Sequence, residues 1–171
     1  HTRIIEDLKA RYHIPGKYLL YVGGFYKHKN LGTLIIAFHR ILQQDNILTK
    51  DISLVLVGTF TQAVSSLRNL ISAYGIEPRV IFTGFVPEDD LIGLYNGAEI
   101  FVFPSLYEGF GLPPVEAMAC GVPVITSKAA SLPEVVGDAG IQVDPYSPEE
   151  ISHAIIEVLT NTELREGMRN K

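Results

Sequence analysis

Apolar segments alternate with amphipathic ones along almost the whole chain, and this alternation limits the fold more than any other feature. Segments that are apolar at every position, not at every second one, are typical of strands buried on both faces of a sheet. The segments between them place apolar residues three and four apart, as helices that bury one face do. The predicted strands are 17–22, 52–57, 79–83, 99–103, 122–126 and 140–143. The predicted helices are 1–12, 31–44, 61–74, 88–96 and 147–159, with another that starts near Pro113 and Pro114.

This alternation predicts a doubly wound, Rossmann-like α/β fold with a parallel sheet of about six strands. The length of 171 residues suits one domain with a substantial core. The net charge of −5 and the scattered basic residues argue against a nucleic-acid partner. The single cysteine, Cys120, excludes an internal disulfide and is predicted to be a packing residue, which fits a reducing, cytoplasmic location.

Glycine-rich turns follow four of the predicted strands, after Val22, Val57, Thr83 and Phe103. In parallel sheets ligands bind outside the carboxyl ends of the strands, so these turns predict a binding site at that edge. The turn 109–112 also precedes a helix, where unpaired N–H groups favour an anion such as phosphate.

Two carboxylates, Glu108 and Glu116, flank this turn and would repel a bare phosphate. A ligand that carries hydroxyl groups beside its phosphates resolves the conflict, because carboxylates accept hydrogen bonds from hydroxyl groups. A nucleotide sugar meets both demands.

The stretch Glu-Gly-Phe-Gly-Leu-Pro-Pro-Val-Glu, from Glu108 to Glu116, resembles the E-x7-E motif of retaining glycosyltransferases of the GT-B fold, the glycosyltransferase group 1 or GT4 family. The resemblance runs from about Tyr18 to about Leu159 and includes the continuation Glu-Ala-Met-Ala-Cys-Gly-Val-Pro-Val. It implies that residues 1–171 form the carboxyl-terminal, donor-binding domain. Residues 1–16 would be an interdomain helix or linker, and an amino-terminal acceptor domain would lie outside this chain.

The resemblance also implies roles for individual residues. Glu108 would lie near the transferred sugar, and Glu116 would bind the ribose hydroxyls. Lys29, which completes a G-x5-K pattern from Gly23, would neutralise the diphosphate, so Glu108 and Lys29 are the expected catalytic residues. The other expected donor-binding residues are Gly23, Gly24, Phe85, Val86, Pro87, Gly109, Phe110, Gly111 and Leu112.

One position departs from the family pattern. Many relatives have an arginine, as a second phosphate clamp, where this chain has Gly24, and Lys27 or His28 is the candidate substitute. The chain has no Asp-x-Asp motif, so no metal or other cofactor is expected. The residues His13, His39 and His153 lack partners at metal-ligand spacing and are predicted to be surface or packing residues. Glu134 is predicted to be a structural carboxylate at a helix start.

The implied reaction is transfer of a hexosyl group, with mannose favoured, from a nucleoside diphosphate sugar to a carbohydrate or lipid-linked acceptor. The isolated domain is expected to bind donor weakly and to be inactive. The full-length enzyme is expected in the cytoplasm, with a peripheral position on the inner face of a membrane as one option. Two alternatives remain: a non-catalytic nucleotide-binding or regulatory domain, and an epimerase or phosphorylase relative with the GT-B fold.

Overall fold

The computed structural model describes residues 2–44 and 49–171. Within them six parallel strands form one sheet in the order β3-β2-β1-β4-β5-β6. The strands are β1 (Lys17–Val22), β2 (Ile52–Val57), β3 (Val80–Gly84), β4 (Ile100–Phe103), β5 (Val124–Ser127) and β6 (Ile141–Val143). The prediction of a doubly wound α/β fold with about six parallel strands is confirmed.

Helices connect the strands, and short 3-10 turns precede α2 and β3 at Lys27–Lys29 and Glu77–Arg79. The helices are α1 (Thr2–Arg11), α2 (Leu31–Leu42), α3 (Ala63–Ala73), α4 (Glu88–Gly97), α5 (Leu112–Ala119), α6 (Leu132–Val136), α7 (Pro148–Thr160) and α8 (Thr162–Arg169). No helix in the described part of the chain is both long enough and apolar enough to cross a membrane.

The predicted helices and strands agree with these bounds to within about two residues. His1, at which the first predicted helix begins, lies outside the described residues. The helix expected from Thr61 begins instead at Ala63. The Thr61 hydroxyl oxygen accepts a hydrogen bond from Ala63 N at 3.2 Å, while the hydroxyl donates to the carbonyl of Phe25 at 2.6 Å. Thr61 therefore precedes the helix as a turn residue, as short hydroxyl side chains often do.

Two helices were not delimited from the sequence. Helix α6 has five residues, and Glu134 lies in its first turn, as the predicted helix-start carboxylate should. Helix α8 begins after Asn161, whose side chain accepts a hydrogen bond from Leu164 N at 3.0 Å. This is the usual contact of an asparagine that caps a helix, and it was the signal available in the sequence.

The helices contact one another in two groups, with α2 against α3 and α7, and α4 against α1 and α5. The central strands of the sheet are shielded from solvent. Tyr18 to Tyr21 of β1 are inaccessible to solvent, and all six residues of β2 are buried. Strands enclosed in this way are almost entirely apolar, which explains the pattern in the sequence; Ser53 of β2 is a buried exception.

The strand order reverses between β1 and β4, which pair directly through Leu19 with Ile100 and Leu20 with Phe101. The chain extends from β1 to β3 on one side and from β4 to β6 on the other. Such a switch point leaves a crevice outside the carboxyl ends of the two central strands. The segments that follow β1 and β4, which contain Lys29 and Glu108, therefore meet there.

Candidate functional site

The turn between β4 and α5 brings the backbone to the start of a helix through a left-handed glycine. Gly111 has φ +91° and is the residue before α5, and a Cβ atom at this position would lie 2.8 Å from Cδ2 of Leu132. Pro113 and Pro114 occupy the first turn of α5, as predicted, where a missing N–H costs little. The amides of Gly111 and Leu112 remain as donors at this end.

Lys29 and Glu108 form an ion pair where the loops after β1 and β4 meet. Lys29 Nζ lies 2.5 Å from Glu108 Oε1, and the two side chains are only 14% and 12% exposed. The Ser105 hydroxyl donates a second hydrogen bond to the same oxygen at 2.6 Å. The structure thus joins the two residues predicted to be catalytic, although they are 79 positions apart in the chain.

Asn30 holds the Lys29 segment against two other strand ends. It has φ +59°, and its amide nitrogen donates to the carbonyls of Pro104 at 3.1 Å and Pro145 at 2.7 Å. The backbone adds a further bond, from Leu106 N to His28 O at 2.7 Å. The cation is consequently placed by the loops after β1, β4 and β6 together.

Three serines hold the Glu108 turn, and the sequence analysis missed all of them. Ser105 is buried, and its carbonyl accepts a hydrogen bond from the Ser127 hydroxyl at the end of β5. The Ser131 hydroxyl donates to the carbonyls of Glu108 at 3.2 Å and Phe110 at 3.3 Å. Ser105 and Ser127 both lie at the carboxyl end of a predicted strand, which was the signal in the sequence that could have identified them.

Glu116 lies on the exposed face of α5, and its Oε2 accepts a hydrogen bond from the Tyr95 hydroxyl at 2.9 Å. Tyr95 belongs to α4 and is 1% exposed. Its ring packs against Phe101, with centroids 5.6 Å apart.

A row of aromatic rings connects this contact to Lys29. Phe101 stacks on Phe103 with centroids 5.8 Å apart, and Lys29 Nζ lies 5.3 Å from the centroid of Phe103. Phe103 also stacks on Tyr21 at 5.7 Å. Burial raises the pKa of Tyr21, with a smaller contribution from the charge of Glu108, so this hydroxyl stays protonated. It donates to the carbonyl of Gly24 at 3.1 Å.

The other predicted donor-binding residues lie along the same edge of the sheet. Gly23 and Gly24 follow β1, while Phe85, Val86 and Pro87 follow β3, which is separated from β1 by β2. Val86 is buried and Phe85 is 77% exposed. The remaining predicted residues are Gly109, Phe110 and Gly111, in the turn before α5, and Leu112, the first residue of α5. Phe110 and Leu112 are exposed.

The basic residues proposed to replace the second phosphate clamp are on the surface. Lys27 and His28 are exposed, and the His28 ring stacks on Tyr26 with centroids 5.8 Å apart. They lie in the 3-10 turn that ends at Lys29.

The predicted surface and packing histidines lie at the surface or against an aromatic ring. His13 and His153 are exposed, and His39 stacks on Tyr74 at 4.3 Å. Within residues 2–44 and 49–171, no group of three histidine, cysteine, aspartate or glutamate side chains is arranged to hold a metal ion.

Comparison with known proteins identifies the family. Residues 5–171 match the family described as glycosyl transferases group 1. The chain belongs to this family. The resemblance drawn from the E-x7-E motif is thereby confirmed, and solved glycosyltransferase structures share the fold.

Three similar proteins show how far the likeness extends. The O-antigen chain mannosyltransferase B of Escherichia coli is 40% identical over 149 residues, which cover 87% of this chain and 38% of that protein. The solved carboxyl-terminal domain of a group 1 family protein (LpcC) from Francisella tularensis is 29% identical, with a TM-score of 0.80. The alignment covers 95% of this chain and 86% of that domain.

The third is the structure of Anabaena HepE in complex with UDP-glucose, which has a TM-score of 0.87 and covers 99% of this chain and 46% of that one. At 24% identity this likeness shows the fold alone. The chain spans between 19% and 38% of the length of the first curated relatives that it matches.

Proposed function

We propose that this chain is the donor-binding domain of a retaining glycosyltransferase that transfers a hexosyl group from a nucleoside diphosphate sugar to an acceptor hydroxyl. Mannose is the favoured sugar, because the Escherichia coli relative at 40% identity is named as a mannosyltransferase. A nucleoside diphosphate sugar is favoured as the donor because the structurally similar Anabaena protein was solved with UDP-glucose.

The observation that carries this proposal is the contact of Lys29 with Glu108 beside the start of α5. An uncompensated Glu108 carboxylate would repel a diphosphate, whereas the ammonium of Lys29 offsets that charge. The helix start adds the amides of Gly111 and Leu112 as hydrogen-bond donors to an anion. The same crevice therefore accommodates both a phosphate and a hydroxyl-bearing sugar.

The proposed reaction exchanges one carbon–oxygen bond for another. The acceptor oxygen bonds to the anomeric carbon, and the bond from that carbon to the diphosphate oxygen breaks. The diphosphate leaves with the electron pair and takes up the proton that the acceptor hydroxyl loses. Negative charge grows on the leaving diphosphate. Lys29 and the two amides thus stabilise the transition state more strongly than the bound donor. Glu108 accepts hydrogen bonds from the sugar or stabilises positive charge at the anomeric carbon.

Further parts of the proposal come from the sequence. Acceptor binding is assigned to an amino-terminal domain of the same enzyme, and the acceptor to a carbohydrate or lipid-linked hydroxyl. Transfer is proposed to occur in the cytoplasm and to need no divalent metal, since Lys29 and the start of α5 would offset the charge of the diphosphate.

The direct test is an assay of the full-length enzyme with GDP-mannose, UDP-glucose and UDP-N-acetylglucosamine, each with and without a chelator. We expect transfer from GDP-mannose at a rate that the chelator leaves unchanged, and a product whose anomeric configuration, read by NMR, matches that of the donor. An inverted product or loss of activity with the chelator would contradict the corresponding part of the proposal. Nucleotide binding without any transfer would support the non-catalytic alternative.

A further inference from the structure

Tyr95 is a buried residue whose hydroxyl reaches a carboxylate on the surface. The side chain is 1% exposed, yet its oxygen lies 2.9 Å from Oε2 of the exposed Glu116. The ring is fixed on one side by Phe101, at 5.6 Å between centroids. A glutamate on an exposed helix face normally samples several rotamers, so a partner this rigid restricts where its carboxylate lies.

Tyr95 is the hydrogen-bond donor in this contact, and Glu116 is the acceptor. Burial is the main cause that raises the pKa of Tyr95, and the charge of Glu116 adds to it, so the hydroxyl remains protonated and acts as the donor. A carboxylate has two oxygens with about four lone-pair positions. With Oε2 engaged by Tyr95, the position of the carboxylate is restricted, and Oε1 keeps its lone pairs for a ligand.

We propose that Tyr95 is a positioning residue: it orients Glu116 for the ribose diol and thereby sets the preference of the site for ribonucleotides. This inference rests on the proposed function and on the binding of the ribose hydroxyls by Glu116, which the family resemblance implies. Without the Tyr95 hydroxyl, binding would have to immobilise the Glu116 side chain, and that entropic cost would appear as weaker donor binding. The chemical step at the anomeric carbon involves neither residue.

The test uses Tyr95→Phe in the full-length enzyme, with Tyr18→Phe as the matched control. Tyr18 is also buried, and its hydroxyl donates to the carbonyl of Leu94 at 2.7 Å, next to Tyr95 on the same helix. Both variants lose one buried hydroxyl near α4, but only Tyr95→Phe removes a contact to Glu116. Melting temperatures establish that both variants fold.

We expect Tyr95→Phe to raise the donor KM about tenfold while kcat stays within about twofold, as loss of a hydrogen bond to a charged group would do. Titrations use GDP or UDP, whichever binds more tightly, together with its 2′-deoxy and 3′-deoxy analogues. The preference is the ratio of the Kd of a deoxy analogue to the Kd of the ribonucleotide. This ratio should fall toward one in Tyr95→Phe and keep its wild-type value in Tyr18→Phe. Replacement of Tyr95 by 4-aminophenylalanine keeps an N–H donor and should restore the preference.

Two outcomes would overturn the inference. One is a ribonucleotide preference that Tyr95→Phe leaves intact, and the other is an equal loss in Tyr18→Phe, which would make the effect one of packing. Glu116→Ala separates this inference from the proposed function. If that variant keeps the wild-type preference, Glu116 does not bind the ribose and the donor assignment itself fails. If it loses the preference while Tyr95→Phe keeps it, only the role of Tyr95 is wrong.

Discussion

Lys29 is bonded to Glu108 in the structure and is proposed to contact a diphosphate when the donor binds. Replacement by alanine would remove that contact and leave the Glu108 charge uncompensated beside the phosphates. We expect Lys29→Ala to lower kcat/KM of the full-length enzyme by more than tenfold, which corresponds to about 1.4 kcal/mol of barrier. Steady-state kinetics with the preferred donor measure this effect.

The matched control is Lys17→Ala. Lys17 also faces a glutamate, with Nζ 3.8 Å from Glu99 Oε1, but it begins β1 and so lies at the opposite edge of the sheet. Its replacement should leave kcat/KM within about twofold, since exposed ion pairs contribute little. A loss of less than tenfold in Lys29→Ala would end its assignment as the phosphate-binding cation.

Substitution of Gly111 tests whether the turn before α5 requires a glycine. Its φ of +91° is unfavourable for a residue with a Cβ atom, and that atom would meet Leu132 at 2.8 Å. We expect Gly111→Ala to reduce the free energy of unfolding by about 1–2 kcal/mol or more, measured by urea denaturation. At Gly109, two residues earlier, an added Cβ atom would meet no other atom within 4 Å. Gly109→Ala should therefore change the free energy of unfolding by no more than about 0.5 kcal/mol. Equal effects of the two changes would contradict this account of the turn.

Among the helices, α1 is fastened to α4 through Asp90. The Tyr12 hydroxyl donates to Asp90 Oδ2 at 2.6 Å, and Arg11 forms hydrogen bonds of 2.9 and 2.7 Å to its two oxygens. These hydrogen bonds, that of Tyr12 first, lower the pKa of Asp90. The segment 1–16, predicted to be an interdomain helix or linker, thus has a defined contact within this domain.

A lowered carboxylate pKa makes the contact depend on pH. The contribution of the Asp90 contact to the free energy of unfolding is present in full above the unfolded-state pKa of about 3.9. It is lost as the pH falls through the lower folded-state pKa. We expect Asp90→Asn to have a lower melting temperature than wild type at pH 7, and the difference to shrink below about pH 4. Asp89→Asn, in the same first turn of α4, is the control for helix-dipole effects and should show a smaller difference at pH 7. A difference independent of pH would show that the charge of Asp90 is irrelevant.

The elements themselves were largely predictable, because buried parallel strands and amphipathic helices have distinct spacings of apolar residues. The exceptions are short. The five residues of α6 complete little more than one turn, too few to display a period. Helix α8 turns only two apolar residues toward the core, Leu164 and Met168, and both are partly buried, so its sequence shows too short an apolar repeat to define a helix.

At the scale of the molecule, the sheet order decides which residues meet, and no local pattern in the sequence specifies that order. The prediction that Lys29 and Glu108 share an edge follows from parallel strands, but their direct contact depends on β1 lying beside β4. The Tyr95 to Glu116 bond joins two helices across 21 positions. Neither residue carries a signal of that pairing, which explains why Tyr95 was missed.

Asn30, in the loop after β1, connects the end of that strand to the ends of β4 and β6, because it donates to a carbonyl after each of them. Asn30→Asp keeps the shape and the tolerance for positive φ but replaces the donor with an oxygen. We expect it to lower the free energy of unfolding by about 1–3 kcal/mol in a chemical denaturation experiment. Asn96→Asp removes an exposed bond to Ile92 O and should cost less than about 1 kcal/mol. A cost at Asn30 no greater than at Asn96 would contradict the proposed link between strand ends.

The row of rings from Lys29 to Tyr95 has a consequence for substitutions far from any ligand. Its central members, Phe101 and Phe103, both belong to β4, and their centroids lie 5.8 Å apart. Lys29 contacts the ring of Phe103, and Tyr95 packs against Phe101. Donor affinity would accordingly respond to changes in the hydrophobic interior, because they reach both the cation and the partner of Glu116.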